Sequence, residues 1–287
     1  MPPAAHAATR TRRVAPAHRH TAAAASVLLF LVAWQVAMPL LPTDLIPSPA
    51  TVLRFMWDEV RGRTLAPSNV WQASAISLRR LASGLAIAFA VGLPVGLAMG
   101  TTRWIMRMLS DAVTVTLAMP FLVWALLAGL WFGMGTAAPV ATAALSALPL
   151  VIVNTMEGAR AVPRDLTDMA RAFGVSRRQI VRHVVVPSLQ PFAFAALRYG
   201  LANGWKGVLV AEIFAATSGA GWTIQYWYDA GRAQGVIGYA VFFVLFAVAV
   251  EHLVFQRLSR RVFRWRPDPH AATGRVAAGA DRRRRSR

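Results

Sequence analysis

The chain has 287 residues, of which 56% are hydrophobic and only 15% charged, with a mean hydropathy of +0.46. A soluble domain of this length carries about 25% charged residues; here the charges fall in clumps between long apolar stretches, which describes a polytopic membrane protein. The formal net charge of +19 does not point to nucleic acid, because the arginines sit at the ends and between apolar segments, with no basic stripe interleaved with stacking aromatics.

Without cysteine, the chain has no disulfide framework, thiolate nucleophile or cysteine metal site. Its six histidines are scattered, three in the N-terminal tail and the others at His183, His252 and His270, and no pair has metal-ligand spacing on a helix. The single lysine, Lys206, stands between Trp205 and Gly207. A phosphate-cradling P-loop needs Gly before its Lys and Ser or Thr after it, so ATP hydrolysis of that type must come from a partner.

In chain order, a basic tail over 1–21 precedes an uncharged run, Ala22–Leu41, read as an uncleaved first span. A Pro-rich break follows, and then a short helix capped by Ser48 or Thr51 and running to about Arg61. The second span is expected at Leu81–Gly100, with Arg79 and Arg80 at its outer edge, where long side chains snorkel. The third, Ala112–Trp131, should kink at Pro120; the fourth, Ala138–Met156, near Pro149. The fifth and sixth are expected at Phe192–Phe214 and Val236–Phe255, joined by an outer loop over Ala215–Gly235, and an Arg-rich tail ends the chain. No internal repeat suggests an inverted-repeat carrier.

The hydrophilic stretch Glu157–Pro187 is the informative piece. Pro163 lies at the start of a short helix, with Asp165 and Asp168 early and Arg171 late, as the helix dipole favours. Gly174 ends that helix where a left-handed residue is needed. Ser176 caps a second helix, whose Ile180, Val181, Val184 and Val185 form one apolar side and which Pro187 stops. The expected product is helix–Gly–helix across the inner membrane face, offering a knob to a partner's groove.

This segment resembles the EAA loop of ABC importer permeases, patterned E-A-A, three residues, G, nine residues, I-x-L-P. Asp168, Met169 and Ala170 occupy the E-A-A places, Gly174 the glycine, Val184 the I and Val186-Pro187 the L-P. Leu45-Ile46-Pro47-Ser48-Pro49, Leu130-Trp131-Phe132-Gly133-Met134-Gly135 and Val210-Ala211-Glu212 resemble further motifs of the nitrate/sulfonate/taurine group, so the likeness covers roughly 42–266.

The resemblance implies an all-α polytopic bundle of six transmembrane helices. Its parts are a permease domain over 22–258 (core about 70–255, EAA loop 157–187) and cytoplasmic tails at 1–21 and 259–287. It implies a permease subunit in the bacterial inner membrane, forming the path for a small solute such as a nitrate-, sulfonate- or taurine-like anion. The alternatives are a vitamin-like or pyrimidine-type compound, or, in another class, a passive channel or scaffold. An intramembrane enzyme would need an activated serine, paired carboxylates or a metal cluster among the spans, and no such motif occurs. The implied partners are ABC ATPase subunits, which bind the ATP and Mg, a second permease copy in a homodimer, a solute-binding protein and the lipid bilayer. This chain is then neither an enzyme nor a cofactor binder. Asp168, Met169, Ala170, Phe173, Gly174, Val186 and Pro187 are the residues implied to couple to the ATPase. For the substrate path, Lys206 with Trp205 and Glu212 are the candidates, since an ionisable group within a span is expensive. A structural tie to carbonyls or to an acid on another span is the competing reading of Lys206.

With both ends inside, residues 1–21, Thr101–Ser110, Glu157–Pro187 and everything after the sixth span at Phe255 hold 23 of the 31 basic residues, against 4 in the two outer segments. Lys and Arg resist translocation, so a reporter fused after Arg287 is expected to be active in the cytoplasm and one inserted within Ala215–Gly235 outside it. A C-terminal reporter active only outside would overturn this topology.

Overall fold

A computed structural model describes residues 16–37 and 46–257, where all regular structure is helical. The helices are α1 (Pro16–Ala37), α2 (Pro49–Val60), α3 (Val70–Thr101), α4 (Arg103–Ala118), α5 (Phe121–Phe132), α6 (Ala137–Arg160), α7 (Arg164–Ala172), α8 (Arg177–Ser188), α9 (Gln190–Ala215), α10 (Ala220–Asp229) and α11 (Ala233–Ala249). A wider π-helical turn, Val250–Phe255, prolongs α11. Among the described residues α3, α6 and α11 are long and apolar enough to cross a membrane unbroken; the bent pairs α4–α5 and α8–α9 make five if each pair is one span. The predicted first span, 22–41, meets α1 as far as Ala37, and its last residues lie outside the described residues, as do 1–15 and 258–287 of the tails.

Elsewhere the structure corrects several predicted boundaries. The third span is more than kinked: α4 and α5 meet at 97°. Pro120 has no N–H to donate, and it holds the preceding Met119 in an extended conformation, with ψ of 124°. Pro149, by contrast, lies inside an uninterrupted α6. The expected outer loop over Ala215–Gly235 contains a helix, α10. Ser48 caps α2 as expected, accepting from the Thr51 N–H at 3.2 Å. One end of the bundle therefore carries α7 and α8, and the other carries α2 and α10.

Between hydrocarbon-facing helices apolar burial gives little net drive, so close packing and internal hydrogen bonds must hold the bundle. Parallel helices α3 and α6 form its most intimate pair. Gly84, Ala88, Gly92, Gly96 and Gly100 place a small residue every fourth position along α3. At Gly96 a Cβ would stand 2.5 Å from the Ile152 carbonyl oxygen, so any larger residue forces the helices apart. The core continues from Leu81, Leu85 and Ala88 of α3 through Ala143, Ala147 and Val151 of α6 to Ala196, Trp205 and Val208 of α9. Phe243 of α11 stacks on Trp205 with ring centroids 5.5 Å apart.

α3 begins at Val70 rather than Leu81, and this changes the reading of Arg80. Instead of snorkelling, Arg80 is 2% exposed within the bundle, while Arg79 faces outward. Its Nη1 donates to Glu212 Oε1 of α9 at 2.7 Å and to the Ser218 carbonyl at 2.6 Å. Its Nη2 reaches Ser218 Oγ at 3.0 Å and Thr136 Oγ1 at 3.4 Å. The fully buried Glu212 also accepts from Ser77 Oγ at 2.7 Å and from the Gly221 N–H at 2.9 Å. In turn Ser77 Oγ accepts from the Ala220 N–H at 2.9 Å. One ion pair thus ties α3, α9, the α9–α10 turn and the start of α6.

A second buried acid fastens α2. Glu59 is fully buried and accepts from Tyr239 Oη of α11 at 2.6 Å and from Thr64 Oγ1.

Removing one partner of a buried ion pair strands the other charge and costs about 3–5 kcal/mol. Glu212→Gln and Arg80→Met are each expected to lower the thermal midpoint of the purified protein clearly. The double variant Arg80→Met/Glu212→Met, which leaves no lone charge, should recover part of the loss. Wild-type stability in both single variants would show that the pair does not hold the bundle.

Candidate functional site: a protruding helix and the span behind it

The loop Glu157–Pro187 folds much as its residues demand. α6 runs on to Arg160, and α7 follows with Pro163 at its cap position. Gly174 takes φ of +75°, in the left-handed region. The Gly174 N–H then donates to the Arg171 carbonyl at 2.9 Å and the Val175 N–H to the Ala170 carbonyl at 3.0 Å. These two bonds make a Schellman ending, which satisfies carbonyls that the last turn of a helix leaves open. Ser176 and Gln179 form a reciprocal capping box at the start of α8.

Pro187 does not stop the second helix; α8 continues to Ser188 and then turns by 54° into α9. The turn before it, Val181–Val185, is widened to the π form, with the Val186 N–H reaching back to the Val181 carbonyl. A proline cannot donate to the turn before it and its ring crowds the carbonyl four residues back, and widening that turn is one way to accommodate both effects.

The two helices of the loop play different parts. α8 is anchored: Ile180 and Val185 are buried, and Val185 packs with Ala159 and Leu189 beneath Leu97 and Val162. Arg177 Nη2 donates to the Thr101 carbonyl at 3.0 Å, capping the end of α3. α7 has no buried residue. Its apolar Leu166, Met169 and Phe173, spaced i, i+3, i+7, point outward, with Phe173 81% exposed. The opposite, polar side, with Arg164, Thr167, Asp168 and Arg171, lines a cleft. A helix with its apolar stripe turned away from its own bundle is built to be covered.

Of the residues singled out in the sequence, Asp168 is exposed and pairs with Arg171 on its own helix at 3.1 Å; an exposed pair of this kind contributes little. Met169, Phe173 and Gly174 are exposed, Ala170 is half-buried, and Val186 and Pro187 are exposed on α8. Gly174 has open space where a Cβ would stand, so backbone conformation rather than crowding is what selects glycine there.

Of the three residues proposed for the substrate path, Trp205 and Lys206 line one groove, and Glu212 stands apart from it. Trp205 is 4% exposed and stacked in the core, and Glu212 is committed to Arg80. Trp205 thus serves packing as well as lining the groove, and Glu212 serves the ion pair. Lys206 is exposed, in a groove between α9 and α11 shared with Arg198 and Glu251. Those two pair with each other, Arg198 Nε donating to Glu251 Oε2 at 3.1 Å. The partnership of Arg80 with Glu212 was missed, although the charges were visible: Glu212 and Glu251 lie in apolar runs with Arg80, Arg198 and Lys206, and spacing along one chain does not reveal which of them pair. Among the described residues no group of three or more His, Asp or Glu could hold a metal.

The likenesses to known proteins agree with this geometry. Residues 90–264 match the family described as binding-protein-dependent transport system inner membrane component. The taurine transport system permease protein of Escherichia coli (strain K12) is 28% identical over 241 residues, covering 83% of this chain and 86% of the relative. The putative aliphatic sulfonates transport permease protein of the same organism is 31% identical, covering 83% and 89%. A riboflavin transport system permease protein of Chloroflexus aurantiacus is 30% identical, covering 77% and 80%. Among solved structures, an inward-facing conformation of the MetNI methionine ABC transporter aligns with a TM-score of 0.59 and 24% identity, covering 73% of this chain and 98% of that one. This chain therefore belongs to the inner-membrane permease family of binding-protein-dependent ABC importers.

Proposed function

We propose that this chain forms the translocation path for a small anionic solute, delivered by an external binding protein and driven by separate ATPase subunits that receive α7 in a cleft. The observation that carries the reading is α7 itself, with its apolar stripe exposed and its end fixed by a left-handed glycine. Anchored α8 ties that helix to the ends of α3 and α6, so a push on α7 reaches the spans. ATP and Mg are held by those ATPase subunits, and two copies of the permease enclose the path. The chain is multi-pass, with the α7 end and both termini in the cytoplasm, as the distribution of arginine requires. The tails, the permease domain and the EAA loop keep the limits given above.

The nature of the solute rests on the taurine and sulfonate permeases among the relatives, and on a nitrate import permease protein of Synechococcus elongatus, 26% identical over 234 residues. A second reading, a vitamin-like solute, is favoured by the riboflavin relative at 30% identity. Lys206 supports the anionic reading, since this exposed cation on α9 has no acidic partner among the described residues.

At Gly174 a side chain must adopt a left-handed conformation at a cost of about 1–2 kcal/mol. Gly174→Val is expected to leave membrane abundance near normal, abolish transport and weaken co-purification of the ATPase; transport at the normal rate would remove α7 from the coupling role. Lys206→Gln should preserve abundance and lower the transport rate of an anionic solute, measured as uptake in proteoliposomes. A less thermostable protein with unchanged transport per molecule would make Lys206 structural instead.

A further inference from the structure

Behind α7 lies a cleft of about 660 Å³ at the meeting of the α3–α4 corner, the end of α6 and the start of α8. Five arginines line it, Arg103, Arg160, Arg164, Arg171 and Arg177, and Asp168 is the one acid among the lining residues. Two of the five are occupied: Arg171 pairs with that acid, and Arg177 caps α3 at the Thr101 carbonyl. The other three, Arg103, Arg160 and Arg164, are exposed and have no acidic partner within ion-pair distance among the described residues. Three exposed guanidiniums without an acidic partner lining one cavity raise its positive potential and favour an anion there. Planar guanidinium groups match the oxygens of phosphate, giving two parallel bonds each.

The lining has an apolar part too, with Met99, Met106, Ile180 and Val185 beside the arginines. A cleft both cationic and apolar, at the ends of two spans, suits an amphiphile whose phosphate sits at the membrane interface. Basic pockets between spans on the cytoplasmic side are where anionic headgroups bind.

We propose that this cleft is a binding site for a phosphate-bearing anion, held by Arg103, Arg160 and Arg164. It bridges the polar side of α7 to the corner between α3 and α4. The same chemistry is offered by an anionic lipid headgroup and by free phosphate, and two arms of one experiment separate them.

The full chain is reconstituted in phosphatidylcholine nanodiscs, and its thermal midpoint is followed while either phosphatidylglycerol is included in the bilayer or inorganic phosphate is added to the buffer. A rise with phosphatidylglycerol that phosphate does not reproduce assigns the site to lipid, and a saturable rise with phosphate alone assigns it to the free anion. Either is expected to weaken by about tenfold or more in apparent affinity in Arg103→Gln/Arg160→Gln/Arg164→Gln. A control, Arg178→Gln/Arg182→Gln, removes two exposed arginines of α8 that do not line this cleft and should bind as the parent does. If the triple variant fails to fold, as judged by its size-exclusion profile, the corresponding triple Lys variant keeps the charge, and it should bind while losing the paired geometry and part of the affinity. No rise in either arm, or a rise that the cleft variants leave unchanged, overturns the proposal.

Discussion

Few places in the bundle are as constrained as the point where Arg80 meets Glu212. Each charge there is removed from solvent, and each is satisfied only by groups from other parts of the chain. The carboxylate takes a hydroxyl from α3, a guanidinium from α3 and an amide from the start of α10; the guanidinium adds the turn after α9 and the start of α6. Moving any one of these elements alone strands a charge in a poorly polar interior, where the cost runs to several kcal/mol. The ends of α3 and α9 near α10 therefore form one body, and Gly219 lets the turn lie so close that a Cβ there would fall within 2.5 Å of the Glu212 carboxylate. At the opposite end no such buried ion pair holds α7 among the described residues.

The two ends are thus held by different kinds of contact. Near α10 the helices are joined by buried polar bonds and by Trp227, which meets Phe55 of α2 edge-on at 5.2 Å. Near α7 they are joined by the close approach of Gly100 to Ala159, by Val185 and Leu189, and by exposed bonds from Arg177 to the Thr101 carbonyl and Thr102 Oγ1.

Much of this was legible in the sequence because two codes are strong in a membrane chain. Apolar run length placed α6, α9 and α11 to within a few residues, and the Pro163–Gly174–Ser176 punctuation placed α7 and α8 with their caps. What stayed hidden were features decided by partners distant in the chain. α3 starts at Val70 from the capping box of Asn69 and Gln72, and Arg80 within it meets Glu212, 132 residues away. Trp205 looked like a neighbour of a path-lining lysine, yet its ring belongs to Phe243 and Phe246. Pro120 and Pro149 were read alike. The first stands at a break where two helices meet at 97°, while the second lies inside one continuous helix.

Pro187 has a mechanical meaning as well. The corner where α8 becomes α9 follows a residue with no N–H to donate, and the turn before it is already widened. Pro187 itself donates no backbone hydrogen bond there, and the corner is held by the Leu189 N–H on the Val186 carbonyl at 3.1 Å and the Ala193 N–H on the Leu189 carbonyl at 2.8 Å. A fixed elbow of 54° therefore joins α8 to α9, so the side of the bundle that each helix faces is set by one proline and the two backbone bonds around it.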